Sequence, residues 1–345
     1  MGLIHPYEYM EDSLEKRQLG QSDLMVSPLC LGCWALAGGS GWGDQDEQVA
    51  IDTIHAALDH GINFLDTAEG YGGGSSEEIV GKALVGRREQ AVLATKISPT
   101  HTQPAELRGY LEASLRRLQT DYIDHYIVHW PITTHSVSES FAVLQELKQE
   151  GKVRSIGVSN YGARQLGELL ETGAQIDCNQ LHYSLLSRAI EFEILPLLRE
   201  NGIGASAYMP LTQGLLVGKY RTVDEVPPFR ARTRHFSSER PMARHDAPGA
   251  ETETFAAIEA VRQIAESIGE PMANVALAWV MARPGLVAAI GGARSPAQVE
   301  RNVKAMETVL SAETIAHLDA ATEELKNTLG ANPDYWNTED KSRSY

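Results

Sequence analysis

Eight short apolar, β-branched runs recur along this chain, each followed by a longer amphipathic stretch, and this alternation narrows the fold more than any other feature. The runs are Leu29 to Cys33, Asn63 to Thr67, Ala91 to Lys96, Ile123 to His129, Val153 to Ser159, Asp177 to Tyr183, Gly204 to Met209 and Val287 to Gly291. Strands that read as near-continuous hydrophobic runs are buried on both faces, which calls for parallel pairing with helices packed outside. Eight such strands close into a (β/α)8 barrel, the TIM barrel. Helices are expected to begin near Asp46, Ser75, Pro104, Ser136, Gly162, Ala189, Glu253, Pro271, Ser295 and Ser311. That is two more than a minimal barrel needs, and the extra helices are placed before the eighth strand and at the C-terminus. Glu15 to Leu19 and Leu24 to Ser27, joined through Gly20 to Asp23, read as an N-terminal hairpin. Barrels of this kind routinely run this long, so the 345 residues are taken as one domain, 1–345. A doubly wound open sheet would instead show a glycine-rich dinucleotide fingerprint after its first strand, and Gly38, Gly39, Gly41 and Gly43 lack that spacing.

A barrel presents its chemistry at the C-terminal ends of its strands. Asp66, Tyr71, Lys96 and His129 fall at or just beyond three of those ends. Together they suit proton transfer to a carbonyl oxygen while hydride arrives from elsewhere. Tyr71 is the expected general acid. A free phenol has a pKa of about 10, and a neighbouring ammonium, here Lys96, lowers it. Asp66 keeps Lys96 charged and oriented, and His129 donates a hydrogen bond to the developing oxyanion. Singly, each residue has a plainer reading: Asp66 as a turn cap, Lys96 as a surface base, His129 as a buried histidine bonded to backbone. Four complementary types at strand ends favour the catalytic one.

Composition excludes other classes. A net charge of -16 argues against nucleic acid, which needs a basic face, and no apolar run reaches the roughly 18 residues of a membrane span. Met1 to Glu15 lacks a basic n-region and an apolar h-region, and three cysteines cannot make a disulfide framework, so a reducing cytoplasm is expected. Cys30 and Cys33 have redox or metal-pair spacing, yet residues three apart on a strand face opposite sides, which favours packing; no metal site is expected. A barrel glycosidase needs two carboxylates across a sugar site, and only Asp66 and Glu69, on one loop, are candidates.

A long segment, 218–250, breaks the alternation and gathers Lys219, Arg221, Arg230, Arg232, Arg234, Arg240 and Arg244. Either it receives an anionic ligand at the barrel top or it is a solvated loop. Trp34, Trp42 and Trp130 line an apolar substrate mouth or serve as core fillers. The tail, 330–345, carries Tyr335 and Trp336 and is expected near the same mouth.

NFLDTAEGYGGG at Asn63 to Gly74, ATK at Ala94 to Lys96, IVHWP at Ile127 to Pro131, GVSN at Gly157 to Asn160 and GGARSPAQVERN at Gly291 to Asn302 together resemble the aldo-keto reductase superfamily. LGCWALAGG at Leu31 to Gly39 resembles its bacterial branch of general-stress and inositol-utilisation reductases. The resemblance, from about Glu15 to Leu310, implies a barrel that binds NADP(H) in extended form and reduces aldehydes or ketones. It matches Tyr71 to the proton donor and Asp66, Lys96 and His129 to its partners. Ser159, Asn160 and Gln180 match the nicotinamide carboxamide contacts, and Tyr208 the ring that stacks under nicotinamide. Leu211, Gln213, Gly214, Leu215, Gly218 and Lys219 match the loop over the pyrophosphate, which would account for the basic segment. Arg294 matches the adenosine 2′-phosphate position, and Gln298 and Asn302 match adenine-side contacts. Cys33, Trp34, Asp66, Gly291 and Gly292 also count among the cofactor positions. Arg301 stands where the family often has an acidic residue. A small-molecule carbonyl is the expected partner, and the runner-up is a cofactor-sensing subunit like the channel-associated β subunits of the superfamily. Oligomeric state is not legible from the sequence.

Overall fold

A computed structural model describes residues 15–39 and 42–345, so the leader expectation for Met1 to Leu14 and the Gly41 position lie outside the described residues. A two-stranded antiparallel hairpin, β1 (Arg17–Gln18) and β2 (Met25–Val26), comes first. The barrel strands follow as β3 (Leu29–Gly32), β4 (Phe64–Asp66), β5 (Val92–Ile97), β6 (Ile123–Val128), β7 (Val153–Ser159), β8 (Cys178–His182), β9 (Gly204–Tyr208) and β10 (Leu286–Gly292). They form a closed parallel barrel in sequence order, sealed where β10 pairs with β3. Every expected strand is present within one residue of its run at nearly every end. No helix among the described residues is long and apolar enough to cross a membrane.

Strand alternation sorts the side chains into two layers. Cys30, Phe64, Val92, Ala94, Ile127 and Cys178 point into the barrel with Leu19, Leu24 and Val26 of the hairpin, which therefore plugs its lower end. Leu31, Leu65, Leu93, Val128 and Val158 face the helices. A fully buried leucine contributes about 1.5–3 kcal/mol, so the plug matters as much as a barrel layer. It also demands a glycine. Gly20 has φ 59°, and a Cβ there would sit 1.9 Å from Asp177 O. Cys30 faces inward and Cys33 outward, and both are free and buried.

The helices are α1 (Glu47–Asp59), α2 (Ser75–Ala83), α3 (Leu107–Leu118), α4 (Val137–Gln149), α5 (Ala163–Glu171), α6 (Ile194–Glu200), α7 (Glu251–Ser267), α8 (Met272–Met281), α9 (Pro296–Glu307), α10 (Ala312–Ala321) and α11 (Glu323–Leu329). Side-chain caps set several starts: Asp46 accepts from Val49 N at 2.9 Å and Ser311 from Thr314 N at 3.1 Å. Three expectations need correction. Ala189 opens only a short 3-10 turn before α6, and α3 starts three residues past Pro104. A third extra helix, α11, follows α10 because the chain breaks at Thr322, whose hydroxyl bonds Leu318 O at 3.0 Å and accepts from Arg188 at 3.0 Å. Between Gly218 and Gly249 there are only short 3-10 turns, at Val223–Glu225 and Pro228–Arg230.

Candidate active site

Asp66 ends β4, Lys96 lies one residue before the end of β5, and His129 follows β6, so neighbouring strands deliver all three to one end of the barrel. Tyr71 opens the turn after β4. Gly72, Gly73 and Gly74 follow it with φ of 59°, 64° and 105°, and a Cβ on Gly72 would meet Ser75 Oγ at 2.2 Å and Ala37 Cβ at 2.8 Å. That glycine run lets the chain fold back tightly enough to carry the phenol over Lys96. Lys96 Nζ donates to Asp66 Oδ1 at 2.6 Å, Thr67 O at 2.9 Å and Tyr71 OH at 3.2 Å, which uses all three ammonium donors. Asp66 Oδ2 accepts from Gln180 Nε2 at 2.8 Å. Tyr71 and His129 meet edge to face at 5.8 Å, and Trp34, 42% exposed, stacks on the Tyr71 ring at 5.8 Å.

Burial and charge compete at each group. Lys96 is fully buried, which lowers its pKa, but Asp66 and Tyr71 outweigh this and hold it above the usual ammonium range. Tyr71 corrects the expectation of an acidified phenol. Burial raises it above its ordinary value, and Lys96 recovers only part of the shift. His129 is pushed down to about 3, first by burial and then by Lys96, so it is a neutral ring that can donate one N–H. A neutral phenol bonded to a fixed ammonium, beside a neutral imidazole, can give a proton to a carbonyl oxygen and have the resulting phenolate stabilised in place.

Ser159 ends β7 and Asn160 follows it, next to Gln180 of β8 and Tyr208 of β9. Their polar groups bond one another. Asn160 Nδ2 donates to His129 O at 3.1 Å, Asn160 Oδ1 accepts from Tyr208 OH at 2.7 Å, and Ser159 Oγ donates to Gln180 O at 2.9 Å. Cys33 is wholly buried with its thiol toward Leu31 O, its N donates to Asp66 O at 2.8 Å and its O accepts from Ser76 Oγ at 3.0 Å, so the structure gives its side chain no access to a ligand.

Beyond β9 the backbone is strained. Met209, Thr212 and Gln213 have φ of 54°, 45° and 53°, and Gly214 and Gly218 have 91° and 83°. Non-glycine residues hold this conformation only where surroundings impose it. Leu211 is half-buried and Leu215 buried. The basic segment divides in two. Arg234 bonds Leu329 O and Asn332 O, and Arg240 pairs with Glu251 at 2.8 Å, so both are structural. Arg230 donates to Gln213 O, Arg232 reaches Gln213 Oε1 at 3.5 Å, and Lys219 Nζ lies over the Tyr220 ring, leaving these three around the strained turn. Arg262 was missed by the sequence reading. From α7 it donates to Gly218 O at 2.8 Å and Tyr220 O at 2.9 Å. Its only signal is an arginine on the buried face of an amphipathic helix.

On the neighbouring strand Gly291 and Gly292 end β10 and Arg294 follows. Its guanidinium is taken up by the segment before α1, donating to Trp42 O, Asp44 O and Gln45 Oε1. Gln298 Oε1 accepts from Arg294 N at 2.8 Å, Asn302 Nδ2 donates to Gly292 O at 3.2 Å, and Arg301 is exposed. Around the mouth Trp42 meets Trp34 edge-on at 5.5 Å. The tail supplies Trp336, 6.4 Å from Tyr208, and Arg343, 3.7 Å over the Trp130 ring and paired with buried Asp334 at 2.8 Å. Asp334 and Arg343 were also missed, because their pairing depends on the path of the tail.

A polar recess of about 1260 Å³ between Arg88, Glu112, Tyr122 and Lys152 opens at the N-terminal ends of β6 and β7, away from these groups.

Comparison with known proteins places the chain in a family with this fold. Residues 28–323 match the Aldo/keto reductase family. The sequence is 39% identical over 322 residues to the NADH-specific methylglyoxal reductase of Escherichia coli (strain K12), covering 86% of this chain and 95% of that protein. The fold superimposes with a TM-score of 0.77 on the glycerol dehydrogenase of Gluconobacter oxydans, 33% identical, covering 90% of this chain and 96% of that one. It superimposes with a TM-score of 0.72 on an aldo/keto reductase of Klebsiella pneumoniae in complex with NADP and acetate, 28% identical, covering 96% and 99%.

Proposed function

The chain belongs to the aldo/keto reductase family, and on that premise we propose that it reduces small aldehydes or ketones to alcohols with NADP(H), using Tyr71 as proton donor. The observation that carries this reading is the bond from Lys96 Nζ to Tyr71 OH at 3.2 Å, held by Asp66 at 2.6 Å beside a neutral His129. A bound nicotinamide supplies the hydride. The chain's own polar groups suit such a cofactor: Ser159 and Asn160, beside Gln180, offer exchangeable hydroxyl and amide bonds for a carboxamide, and Tyr208 a ring for stacking. Lys219, Arg230 and Arg232 around the strained turn suit a pyrophosphate.

In this reading the substrate oxygen sits between Tyr71 OH and a His129 N–H. His129 orients the carbonyl, Tyr71 transfers its proton as charge reaches that oxygen, and Lys96 stabilises the phenolate until solvent restores it. Trp34, Trp42 and Trp130 form the apolar walls. The substrate of the Escherichia coli relative makes methylglyoxal a fitting first candidate.

NAD(H) is the second reading for the cofactor. It is favoured by the engagement of three Arg294 donors within the protein and by the NADH specificity in that relative's name. Purified protein mixed with NADPH or NADH and a panel of aldehydes and ketones tests both. Carbonyl-dependent loss of reduced-cofactor absorbance is expected, faster with NADPH. Its absence with every carbonyl would favour a cofactor-sensing subunit, and faster turnover with NADH would favour the second reading.

A further inference from the structure

One loop surrounds the Arg294 guanidinium. Nε donates to Gln45 Oε1 at 2.9 Å, Nη1 to Trp42 O at 2.5 Å and Nη2 to Asp44 O at 2.5 Å, while Gln45 Nε2 returns a bond to Arg294 O at 3.2 Å. A planar fork that satisfies two carbonyls and an amide at once fixes the loop in position as well as distance. On its N-terminal side Trp42 N and Gly43 N both donate to Gly39 O, at 3.2 and 2.9 Å. Its aromatic side chain reaches the chemistry. Trp42 stands edge-on to Trp34, which stacks on Tyr71. Arg294 therefore sits at one end of a line of contacts whose other end is the phenol.

We propose that Arg294 is a positioning residue for the substrate wall, holding Trp42 against Trp34, and that a cofactor 2′-phosphate competes with residues 42–45 for its guanidinium. This rests on the nicotinamide-dependent reading above. A phosphate dianion is a stronger acceptor for an arginine fork than two peptide carbonyls and an amide, so its arrival draws Arg294 off the loop. The phosphate that distinguishes the two cofactors then also loosens Trp42. With NADH the wall stays closed and favours large apolar carbonyls; with NADPH it relaxes.

Exciton coupling between Trp34 and Trp42, seen as a far-ultraviolet circular dichroism couplet, reads the wall without turnover, and Trp42→Phe assigns the signal by removing it. Adenosine 2′,5′-bisphosphate should diminish the couplet in the wild type, whereas AMP, lacking the 2′-phosphate, should not. Arg294→Ala should show the diminished couplet without ligand and no further change with it. Gln45→Ala, which alters only the loop side, should lower it too and decides the matter if the arginine variant does not fold. In turnover, the ratio of KM for naphthaldehyde to KM for methylglyoxal should rise about fivefold in Arg294→Ala with NADH, the size of losing one apolar contact. A wild-type couplet in both variants would overturn the positioning role. Bisphosphate that binds by calorimetry yet leaves the couplet whole, or that fails to bind, would overturn the competition. Failure of the reductase reading is seen separately, as no oxidation of either cofactor with any carbonyl, because the couplet is read without a carbonyl present.

Discussion

Asp66 and Lys96 hang from barrel strands and His129 from the residue after one, while Gln45, Lys219, Arg230 and Arg294 hang from the loops that surround them. At the strand-borne end every polar atom of the pair is spoken for at 2.6 to 3.2 Å, and Lys96 is wholly buried. At the loop-borne end Arg230 and Arg294 bind backbone oxygens of neighbouring loops, bonds that a phosphate can replace, and Lys219 lies over the Tyr220 ring. A strand end fixes a catalytic group to within the tolerance that proton transfer needs, whereas a loop can exchange partners as a ligand arrives. Rate should therefore depend on the first set and on Tyr71, which the turn after β4 carries and Lys96 holds at 3.2 Å, and cofactor choice on the second.

The largest effect is expected from Tyr71→Phe, which should lose on the order of 10²-fold or more in kcat while binding NADPH nearly as well. Undiminished turnover, measured by cofactor absorbance, would break the contrast at once. Lys96→Met should cut the rate and also leave the Asp66 carboxylate buried without its cation, a loss of about 3–5 kcal/mol in chemical unfolding. Its pH profile carries a sign. Lys96 favours phenolate, so its removal raises the Tyr71 pKa, and the alkaline loss of residual activity should move to higher pH. His129, held neutral down to about 3, should add no limb near neutrality in either protein.

Arg294→Ala sharpens the comparison from the loop side. A charge-assisted phosphate contact is worth about 1.5–3 kcal/mol, roughly ten- to a hundredfold. Since the loop must first be displaced, NADPH should weaken nearer the lower figure, with NADH almost unchanged in fluorescence titration; equal losses would make Arg294 purely structural. The smallest effect should come from Asp334→Asn. Arg343 then loses its buried carboxylate but keeps its stack on Trp130, and KM for aromatic aldehydes should rise only about two- to fivefold with kcat retained.

Legibility in the sequence follows the same division. The barrel strands declare themselves because burial on both faces forces continuous apolar runs, and Asp66, Lys96 and His129 are found by asking what stands at their ends. Tyr71 needs one further inference, that the three glycines after it permit a tight return. The pKa of Tyr71 was misjudged because charge can be read from sequence and burial under Trp34 cannot. Arg234, Arg240 and Arg294 look alike as basic residues. What separates them is a partner on a distant segment, Leu329 at the end of α11, Glu251 at the start of α7 or Trp42 before α1, and no periodicity connects those segments. The same holds for Asp334 and Arg343, and for the break at Thr322 that makes α11.

Titration of Tyr71 itself probes the Asp66, Lys96 and Tyr71 unit most directly. Phenolate absorbance followed against pH, with the Tyr71→Phe spectrum subtracted, isolates this one ring among the 12 tyrosines. It should ionise above the ordinary phenol value of about 10, because burial exceeds the pull of Lys96, and in the Lys96→Met background higher still. An ionisation that Lys96→Met leaves unmoved, or shifts downward, would contradict the account.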